Sequence, residues 1–283
     1  MNSKNNVYSG AANRQSLIDL RLPENKSTDT ILFFVHGYKG YKDWGCWNLV
    51  EHYFIEAGIG FCKLNLSHNG GTISNPIDFP DLEAFGENRY TYELEDIAEG
   101  IDWLYRQIDM SKIKLYLIGH SRGGGEVILA GHDDRVKGVI TWASIADIGS
   151  RFPSGEELKK WRKDDVRFIE NTRTKQKMPH YFSFYEDWYY NQAFLSIEKA
   201  AKSLKKPCLH IHGDKDEAVS IKESQALSEW TTGKLITIYG ANHTFGAEHP
   251  WEKISLPESL KEVCKETLDF IQSSKQESQV IYS

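Results

Sequence analysis

The sequence has few cysteines and no long apolar run, and both features narrow its class. Its four cysteines stand far apart without a C-x-x-C pair, so neither a disulfide framework nor a zinc ribbon is indicated. No stretch approaches the roughly 20 apolar residues that a membrane-spanning helix needs. Residues 1–30 are polar and lack the apolar region of a secretory signal. These absences predict a cytoplasmic protein with buried free thiols and no membrane partner.

Runs of basic residues are also missing. The chain has 34 Lys and Arg against 40 Asp and Glu, a formal net charge of −6, so a nucleic-acid partner is not expected. With 26% charged and 40% hydrophobic residues in 283, the composition is that of an ordinary globular protein with a full core. The length allows one large α/β domain or two modest ones, and we predict a single domain over residues 1–283.

Short apolar segments alternate with amphipathic ones along most of the chain. Strands are predicted at residues 17–22, 31–35, 60–66, 113–118, 137–142, 207–212 and 234–239, and helices at 44–57, 92–109, 221–230 and 257–273. This alternation predicts an α/β fold, with a mainly parallel central sheet and helices on both faces. Right-handed crossovers then place the carboxyl ends of the strands along one edge, where ligands bind in such folds.

Two segments interrupt this alternation. Residues 67–91 form a long stretch with Gly, Asn and Pro, of a kind that often lines a site. Residues 145–206 are too long for a plain crossover and predict a cap insertion, with an amphipathic helix over 155–169. Within it, residues 181–194 contain eight aromatics. These side chains either pack a small core of their own or roof the active site, and the two interpretations are compatible.

The most informative segment is Gly119-His120-Ser121-Arg122-Gly123. It follows an apolar strand and precedes a helix-compatible stretch, which is the setting of a nucleophile elbow, G-x-S-x-G. Such a turn is sharp, so the positions two before and two after the nucleophile must be small. It would raise the Ser121 hydroxyl above the sheet and direct a helix N-terminus at developing negative charge.

A serine nucleophile needs a base and an acid that orients the base, in the chain order serine, acid, histidine for this elbow. Asp214 and Asp216 both follow the strand at 207–212, and Asp216 is preferred because Asp214 lies in the immediate turn. Asp147 is a third candidate. His243 follows the last strand directly and is the predicted base, whereas His249 precedes a proline in a connector.

The tetrahedral intermediate needs two N–H donors for its oxyanion. The sequence offers the backbone N–H of Arg122, next to the nucleophile, and that of Tyr38, in the loop after the strand at 31–35. His36 is interpreted as bracing this loop. The Arg122 side chain either attracts a substrate carboxylate or forms an ion pair, for which Glu126 is the plausible partner one turn later.

Together, the His36-Gly37-Tyr38 turn, the elbow, the segment 212–216 and Asn242-His243 resemble the α/β-hydrolase superfamily over residues 17–275. Within it, the chain is similar to small bacterial carboxylesterases of the cinnamoyl/feruloyl esterase and dienelactone-hydrolase-like groups. It differs from true dienelactone hydrolases in having Ser rather than Cys as nucleophile. The resemblance implies a cap at 145–206 and a monomer or homodimer.

The residues and the resemblance predict a serine hydrolase, most simply a carboxylesterase acting on small or aromatic acyl esters through Ser121, His243 and Asp216. The expected partner is a small-molecule ester, and neither a metal nor an organic cofactor is needed. Two alternatives stay open at this point. The same three residues could cleave amide, thioester or carbon–carbon bonds or transfer an acyl group, or the chain could be a hydrolase-fold ligand sensor without turnover.

Overall fold

The computed structural model describes residues 2–24 and 27–280, with side chains described up to residue 274. These residues form ten strands: β1 (Asn2–Ser9), β2 (Gln15–Arg21), β3 (Thr30–Val35), β4 (Gly60–Leu64), β5 (Lys114–His120), β6 (Val136–Trp142), β7 (Val166–Glu170), β8 (Lys177–Tyr181), β9 (Cys208–Gly213) and β10 (Lys234–Ile238). They also form nine α-helices: α1 (Trp47–Glu56), α2 (Leu82–Glu87), α3 (Tyr90–Gln107), α4 (Arg122–Ala130), α5 (Gly155–Asp164), α6 (Ser183–Tyr190), α7 (Ile197–Ser203), α8 (Ile221–Thr231) and α9 (Glu258–Val280).

Eight strands make one sheet in the order β1-β2-β4-β3-β5-β6-β9-β10. The pairings β1–β2 and β2–β4 are antiparallel, and those from β4 to β10 are parallel. The prediction of a mainly parallel sheet is therefore confirmed. In the parallel part the carboxyl ends of β3, β5, β9 and β10 share one edge, which is where the predicted site residues follow their strands.

Both faces of the sheet are covered by helices, as predicted. Along β3, Ile31, Phe33 and Val35 face a core shared with α3 and α4, while Leu32 and Phe34 face a second core shared with α1 and α9. This alternation on a fully buried strand explains why the segment reads as one continuous apolar run. In the described ranges, no helix is both long and apolar enough to cross a bilayer.

One predicted helix is too long, and β1 and α2 were not predicted. The sequence of β1 is mostly polar, and its antiparallel pairing with β2 and the buried Tyr8 hold it in the sheet. The helix predicted over 155–169 ends at Asp164, where Asp165 takes a left-handed conformation (φ 60°), and β7 follows. The stretch 67–91 contains helix α2, whose N-cap Asp81 accepts a hydrogen bond from the Ala84 N–H.

The segment predicted as a cap contains α5, α6, α7 and the antiparallel hairpin β7–β8. Phe182 and Phe184 are buried in the core that includes Trp161, as the first interpretation predicts, and Phe184 also lines a cavity at Ser121. Tyr190 and Phe194 are 77% and 65% exposed and do not line the cavities at Ser121, so they do not roof the site. The hairpin contributes Met178 to a small cluster with side chains from the loops after β3 and β4. The hairpin therefore lies against the edge that carries the predicted site.

Candidate active site

Ser121 occupies a strained turn between β5 and α4. Its backbone angles are φ 58° and ψ −119°, a conformation that few non-glycine residues adopt. A Cβ at Gly119 would collide with the carbonyl group of Gly123, and one at Gly123 would lie 2.5 Å from the Val35 carbonyl oxygen. The two glycines therefore permit the sharp bend, and observed strain of this kind is typical of functional positions.

Ser121, His243 and Asp216 form a continuous hydrogen-bonded chain. The Ser121 Oγ lies 3.0 Å from His243 Nε2, and His243 Nδ1 lies 2.7 Å from Asp216 Oδ2. The carboxylate accepts from Nδ1–H, so Nε2 is the ring nitrogen left free to accept the hydroxyl proton. The three predicted residues, of which Ser121 and His243 are 122 positions apart, meet at the carboxyl edge of the sheet.

Asp216 accepts hydrogen bonds from other groups besides His243. Its Oδ1 accepts from the backbone N–H groups of Ala218 and Val219, and His212 Nε2 lies 3.1 Å from Oδ2. Burial raises the pKa of Asp216, but the hydrogen bonds from His212, His243 and Val219 outweigh it and hold the pKa well below its usual range. The carboxylate thus stays ionised and keeps His243 in one tautomer.

The other candidates for these roles lie elsewhere. Asp214 accepts a 2.5 Å hydrogen bond from the Gly240 N–H and so joins the loop after β9 to the loop after β10. Asp147 caps its own turn by accepting from the N–H groups of Gly149 and Ser150. His249 lies in a connector, where Tyr41 and the Gly45 N–H bind its ring. In the structure, Asp216 is thus the aspartate of the three that bonds to His243.

The two backbone donors proposed for the oxyanion lie on either side of Ser121. Arg122 is the first residue of α4, where an N–H has no partner within the helix. Tyr38 follows Gly37. The Gly37 backbone lies so close to Ser121 that an added Cβ would be 2.9 Å from the Ser121 Cβ. His36 braces this loop, because its ring accepts from the Leu66 N–H and contacts the Gly37 carbonyl. This arrangement suits an oxyanion hole beside Ser121.

The side chain of Arg122 is buried in an aromatic cage and is paired with Glu93 of α3, at 3.1 Å, rather than with Glu126 as predicted. Its guanidinium carbon lies 4.4 Å from the centre of the Tyr38 ring and 5.0 Å from that of Tyr90. The side chain crosses from α4 towards α3 instead of lying along its own helix. Burial and the negative charge of neighbouring Glu93 raise the pKa of Glu126 well above its usual range.

Three histidines at the site were not found by sequence reasoning as site residues. His212 supports Asp216, as described above. His120 donates from Nε2 to the His243 carbonyl oxygen, at 2.9 Å, and burial lowers its pKa to about 3, so it is a neutral anchor for the backbone of the base. His180, on β8, forms a 2.6 Å hydrogen bond with the Tyr38 hydroxyl. The placement of His120 and His212 within buried strands is the one signal that the sequence offered.

Two cavities open at Ser121. The first, about 310 Å³, is lined by Trp44, Trp47, Phe79 and His249 beside Ser121 and His243, and we name it the aromatic cavity. The second, about 400 Å³, is lined by Arg151, Arg167 and His180 of the segment 145–206 and by Arg122 and Lys39, and we name it the cationic cavity. Lys39 lines both cavities. Within the described ranges no cluster of three or more His, Cys, Asp or Glu side chains is placed to hold a metal ion.

Solved structures with the same fold cover nearly the whole chain. Est1E from Butyrivibrio proteoclasticus is 20% identical, covers 96% of this chain and 98% of its own, and superposes with a TM-score of 0.70. A structure of ferulic acid bound to Est1E gives the same identity and TM-score and covers 94% and 98%. Dienelactone hydrolase from Anabaena variabilis ATCC 29413 is 15% identical, covers 96% and 98%, and has a TM-score of 0.63. At these identities the likeness shows the fold.

Sequence comparison identifies the family. A curated relative, the uncharacterized peptidase YtmA of Bacillus subtilis (strain 168), is 26% identical over 146 residues, which are 51% of this chain and 49% of the relative. The chain thus matches about half the length of that relative. The model of the prolyl oligopeptidase family matches residues 82–274, a range that contains Ser121, Asp216 and His243. The chain belongs to the prolyl oligopeptidase family and has the α/β-hydrolase fold.

Proposed function

We propose that the protein is a carboxylesterase in which Ser121, His243 and Asp216 act as a catalytic triad. The observation that carries the proposal is the hydrogen-bonded chain from Ser121 Oγ to His243 (3.0 Å) and from His243 to Asp216 (2.7 Å), at a strained elbow between two cavities. A serine without such a base is a poor nucleophile at neutral pH.

The proposed reaction proceeds through an acyl-enzyme. His243 Nε2 takes the proton of Ser121 as Oγ attacks the acyl carbonyl, and Asp216 stabilises the imidazolium that forms. The N–H groups of Tyr38 and Arg122 hold the oxyanion. His243 then protonates the leaving alkoxide, and water activated by the same nitrogen hydrolyses the acyl-enzyme.

Ester hydrolysis is favoured over other bonds by two supporting facts. Est1E and dienelactone hydrolase share the fold over nearly the whole chain, and ferulic acid is bound in one Est1E structure. The aromatic cavity provides flat apolar walls for an aromatic or small acyl or alcohol group. Amide hydrolysis is the second candidate, because the matching family and the relative YtmA are both named for peptidases.

The test combines active-site labelling with turnover. We expect a fluorophosphonate probe to label the wild type at Ser121 and to leave Ser121→Ala unlabelled. We expect the wild type to hydrolyse 4-nitrophenyl esters, and Ser121→Ala or His243→Ala to lower kcat by about 10⁴- to 10⁶-fold.

Three outcomes separate the candidates. Labelling with ester turnover supports the esterase, provided that matched 4-nitroanilides react far more slowly. Labelling with faster turnover of the anilides favours the peptidase candidate. Absence of both labelling and turnover contradicts the triad and favours a hydrolase fold that binds without reacting.

A further inference from the structure

The cationic cavity has a charge that contrasts with that of the whole chain. The protein has a formal net charge of −6, yet Lys39, Arg122, Arg151 and Arg167 line this cavity, and among the described residues no Asp or Glu lines it. Side chains of one sign around a cleft with apolar walls concentrate ligands of the opposite sign. The position of Ser121 and His243 in the same wall places any such ligand next to the reacting bond.

Two of the four cations already have carboxylate partners. Arg122 is paired with Glu93, and Arg151 with Glu223 of α8. Glu223 also accepts from the Ala146 N–H, which fixes its carboxylate, and it does not line the cavity. Because both charges are paired, these two arginines shape the cavity and add to its electrostatic field, but neither offers an unpaired charge to a ligand.

The other two cations lack a carboxylate within ion-pair distance in the described part of the chain. Arg167, on β7 of the hairpin, lies 4.2 Å over the ring of Trp161, and its Nε is buried without a hydrogen-bond partner. Lys39, in the loop after β3, lies 5.3 Å from the centre of the Tyr38 ring. Burial lowers the pKa of both groups, and in Arg167 it outweighs the opposing influence of Tyr38 and of the Glu157 carboxylate, which lies beyond ion-pair distance.

A third observation concerns His180, which lines the same cavity. His180 is 2% exposed, and while one ring nitrogen bonds to the Tyr38 hydroxyl, its Nδ1 is buried without a hydrogen-bond partner. Buried polar atoms in native proteins almost always have a partner, so an orphan beside two unpaired cations is a rare combination. An oxygen-rich anion would supply acceptors for Arg167 and Lys39 and reach the histidine.

We propose that the cationic cavity binds an anionic group, specifically a carboxylate, in one half of the substrate, so that the preferred substrates are esters that carry a free carboxylate. Arg167 from the cap and Lys39 from the core are its specificity-determining residues. The inference rests on the proposed esterase function for its turnover readout, but its binding readout does not. It narrows the substrate class from any small ester to half-esters of dicarboxylic acids or esters of hydroxy acids.

The experiment uses pairs of esters in which one member carries a carboxylate and the other its methyl ester, and compares each pair between proteins so that the intrinsic reactivity of the two esters cancels. One pair is mono(4-nitrophenyl) adipate and its methyl ester, which place the charge in the acyl half. The other is 4-carboxyphenyl butyrate and its methyl ester, which place it in the leaving group. For each pair the ratio of kcat/KM, charged over neutral, is measured in the wild type, Arg167→Gln, Lys39→Gln and Arg162→Gln. Arg162, exposed on α5 and outside the cavity, is the matched control.

We expect the ratio of at least one pair to fall by roughly 10- to 100-fold in Arg167→Gln and in Lys39→Gln, the range for losing one hydrogen bond to a charged group. Arg162→Gln should leave the ratio at the wild-type value. Raising the ionic strength should lower the ratio in the wild type. The two test residues lie on different elements, so misfolding of one variant leaves the other informative.

Binding provides a readout that needs no turnover. Monomethyl adipate should bind Ser121→Ala, measured by calorimetry, and bind at least tenfold more weakly when Arg167→Gln is added. Ester turnover with ratios that are equal in all four proteins overturns the inference and leaves the esterase intact. Absence of labelling and turnover, with carboxylate binding still dependent on Arg167, overturns the esterase and supports the anion site. Absence of that binding overturns the site.

Discussion

At the scale of single residues, the proposed mechanism depends on which aspartate orients His243. Asp216 Oδ2 lies 2.7 Å from His243 Nδ1, whereas Asp214 accepts a hydrogen bond from the Gly240 N–H. We therefore expect Asp216→Asn to lower kcat by about 10⁴-fold, because the imidazole loses its fixed tautomer. Asp214→Asn, the matched control, should stay within about tenfold of the wild type. Steady-state kinetics that show the reverse order would reject the assignment.

A second residue-scale prediction concerns the buried carboxyl pair beside Arg122. The pKa of Glu126 is raised by burial and by Glu93, so above about pH 4.3 the folded protein retains a proton that the unfolded chain has lost. Stability then falls as the pH rises, by up to about 1.4 kcal/mol per pH unit, until Glu126 itself ionises. Glu126→Gln cannot ionise, so its free energy of unfolding relative to the wild type should increase by about 1 kcal/mol or more between pH 5 and pH 8.

Urea unfolding at the two pH values measures this difference, and Glu93→Gln is the contrasting variant. It removes the carboxylate paired with Arg122 and should cost about 3–5 kcal/mol, as expected when one partner of a buried ion pair is lost. An effect of Glu126→Gln that is the same at pH 5 and pH 8 would show that Glu126 is ionised throughout the range.

The site residues that were predicted from the sequence differ in one physical respect from those that were not. Ser121, Asp216 and His243 each follow a strand within a local pattern of turn residues, so their positions can be predicted from neighbours in the chain. His180 and the Arg122–Glu93 pair depend on contacts between residues 142 and 29 positions apart. No local pattern specifies such contacts, and Glu126 was preferred because helical spacing was the one rule available.

At the scale of elements, the elbow between β5 and α4 requires two backbone segments to lie very close together, and a glycine substitution can test this requirement. Gly119→Ala places a Cβ against the Gly123 carbonyl group, which is backbone and has little freedom to move. We expect it to lower the free energy of unfolding by about 3 kcal/mol or more. Gly155→Ala is the control, since no atom lies within 4 Å of its added Cβ and its positive φ alone should cost about 1 kcal/mol. Equal costs for the two variants in urea unfolding would contradict the tight elbow.

Element boundaries show where sequence patterns stop being informative. The apolar runs of the parallel strands predicted the sheet correctly because burial on both faces requires such runs. The polar strand β1 has no such requirement, and its pairing with β2 overrides its composition. The helix over 155–169 was predicted too long because Asp165 is not a glycine, although it takes the left-handed conformation that ends α5.

At the scale of the whole molecule, the two cores and their thiols provide a test of packing. All four cysteines are free and buried, and burial raises the pKa of Cys208 to about 12. Cysteine reactivity requires an accessible thiolate. We expect Ellman's reagent to find almost no reactive thiol in the native protein and four after unfolding in guanidinium chloride. Rapid reaction of even one thiol under native conditions would show that a core is open.

The fold followed from the alternation of strands and helices, and the resemblance to the α/β-hydrolase superfamily from the elbow and three other motifs; both are confirmed. The prolyl oligopeptidase family was not predicted. The substrate could not be predicted from the sequence. Loops and the segment 145–206 form the cavities, and their contacts join residues that are far apart in the chain. The charge of the cationic cavity illustrates this, since Lys39 and Arg167 are 128 positions apart in a chain with no basic run.

The central claim is that His243 activates Ser121 to form a covalent acyl-enzyme. The most direct measurement is intact-protein and peptide mass spectrometry after rapid acid quenching of the wild type mixed with excess 4-nitrophenyl butyrate. We expect a butyryl adduct on the peptide that contains Ser121, and we expect the rate of its formation to fall by several orders of magnitude in His243→Ala. Turnover without any adduct on that peptide, or an adduct formed at the same rate in His243→Ala, would contradict it.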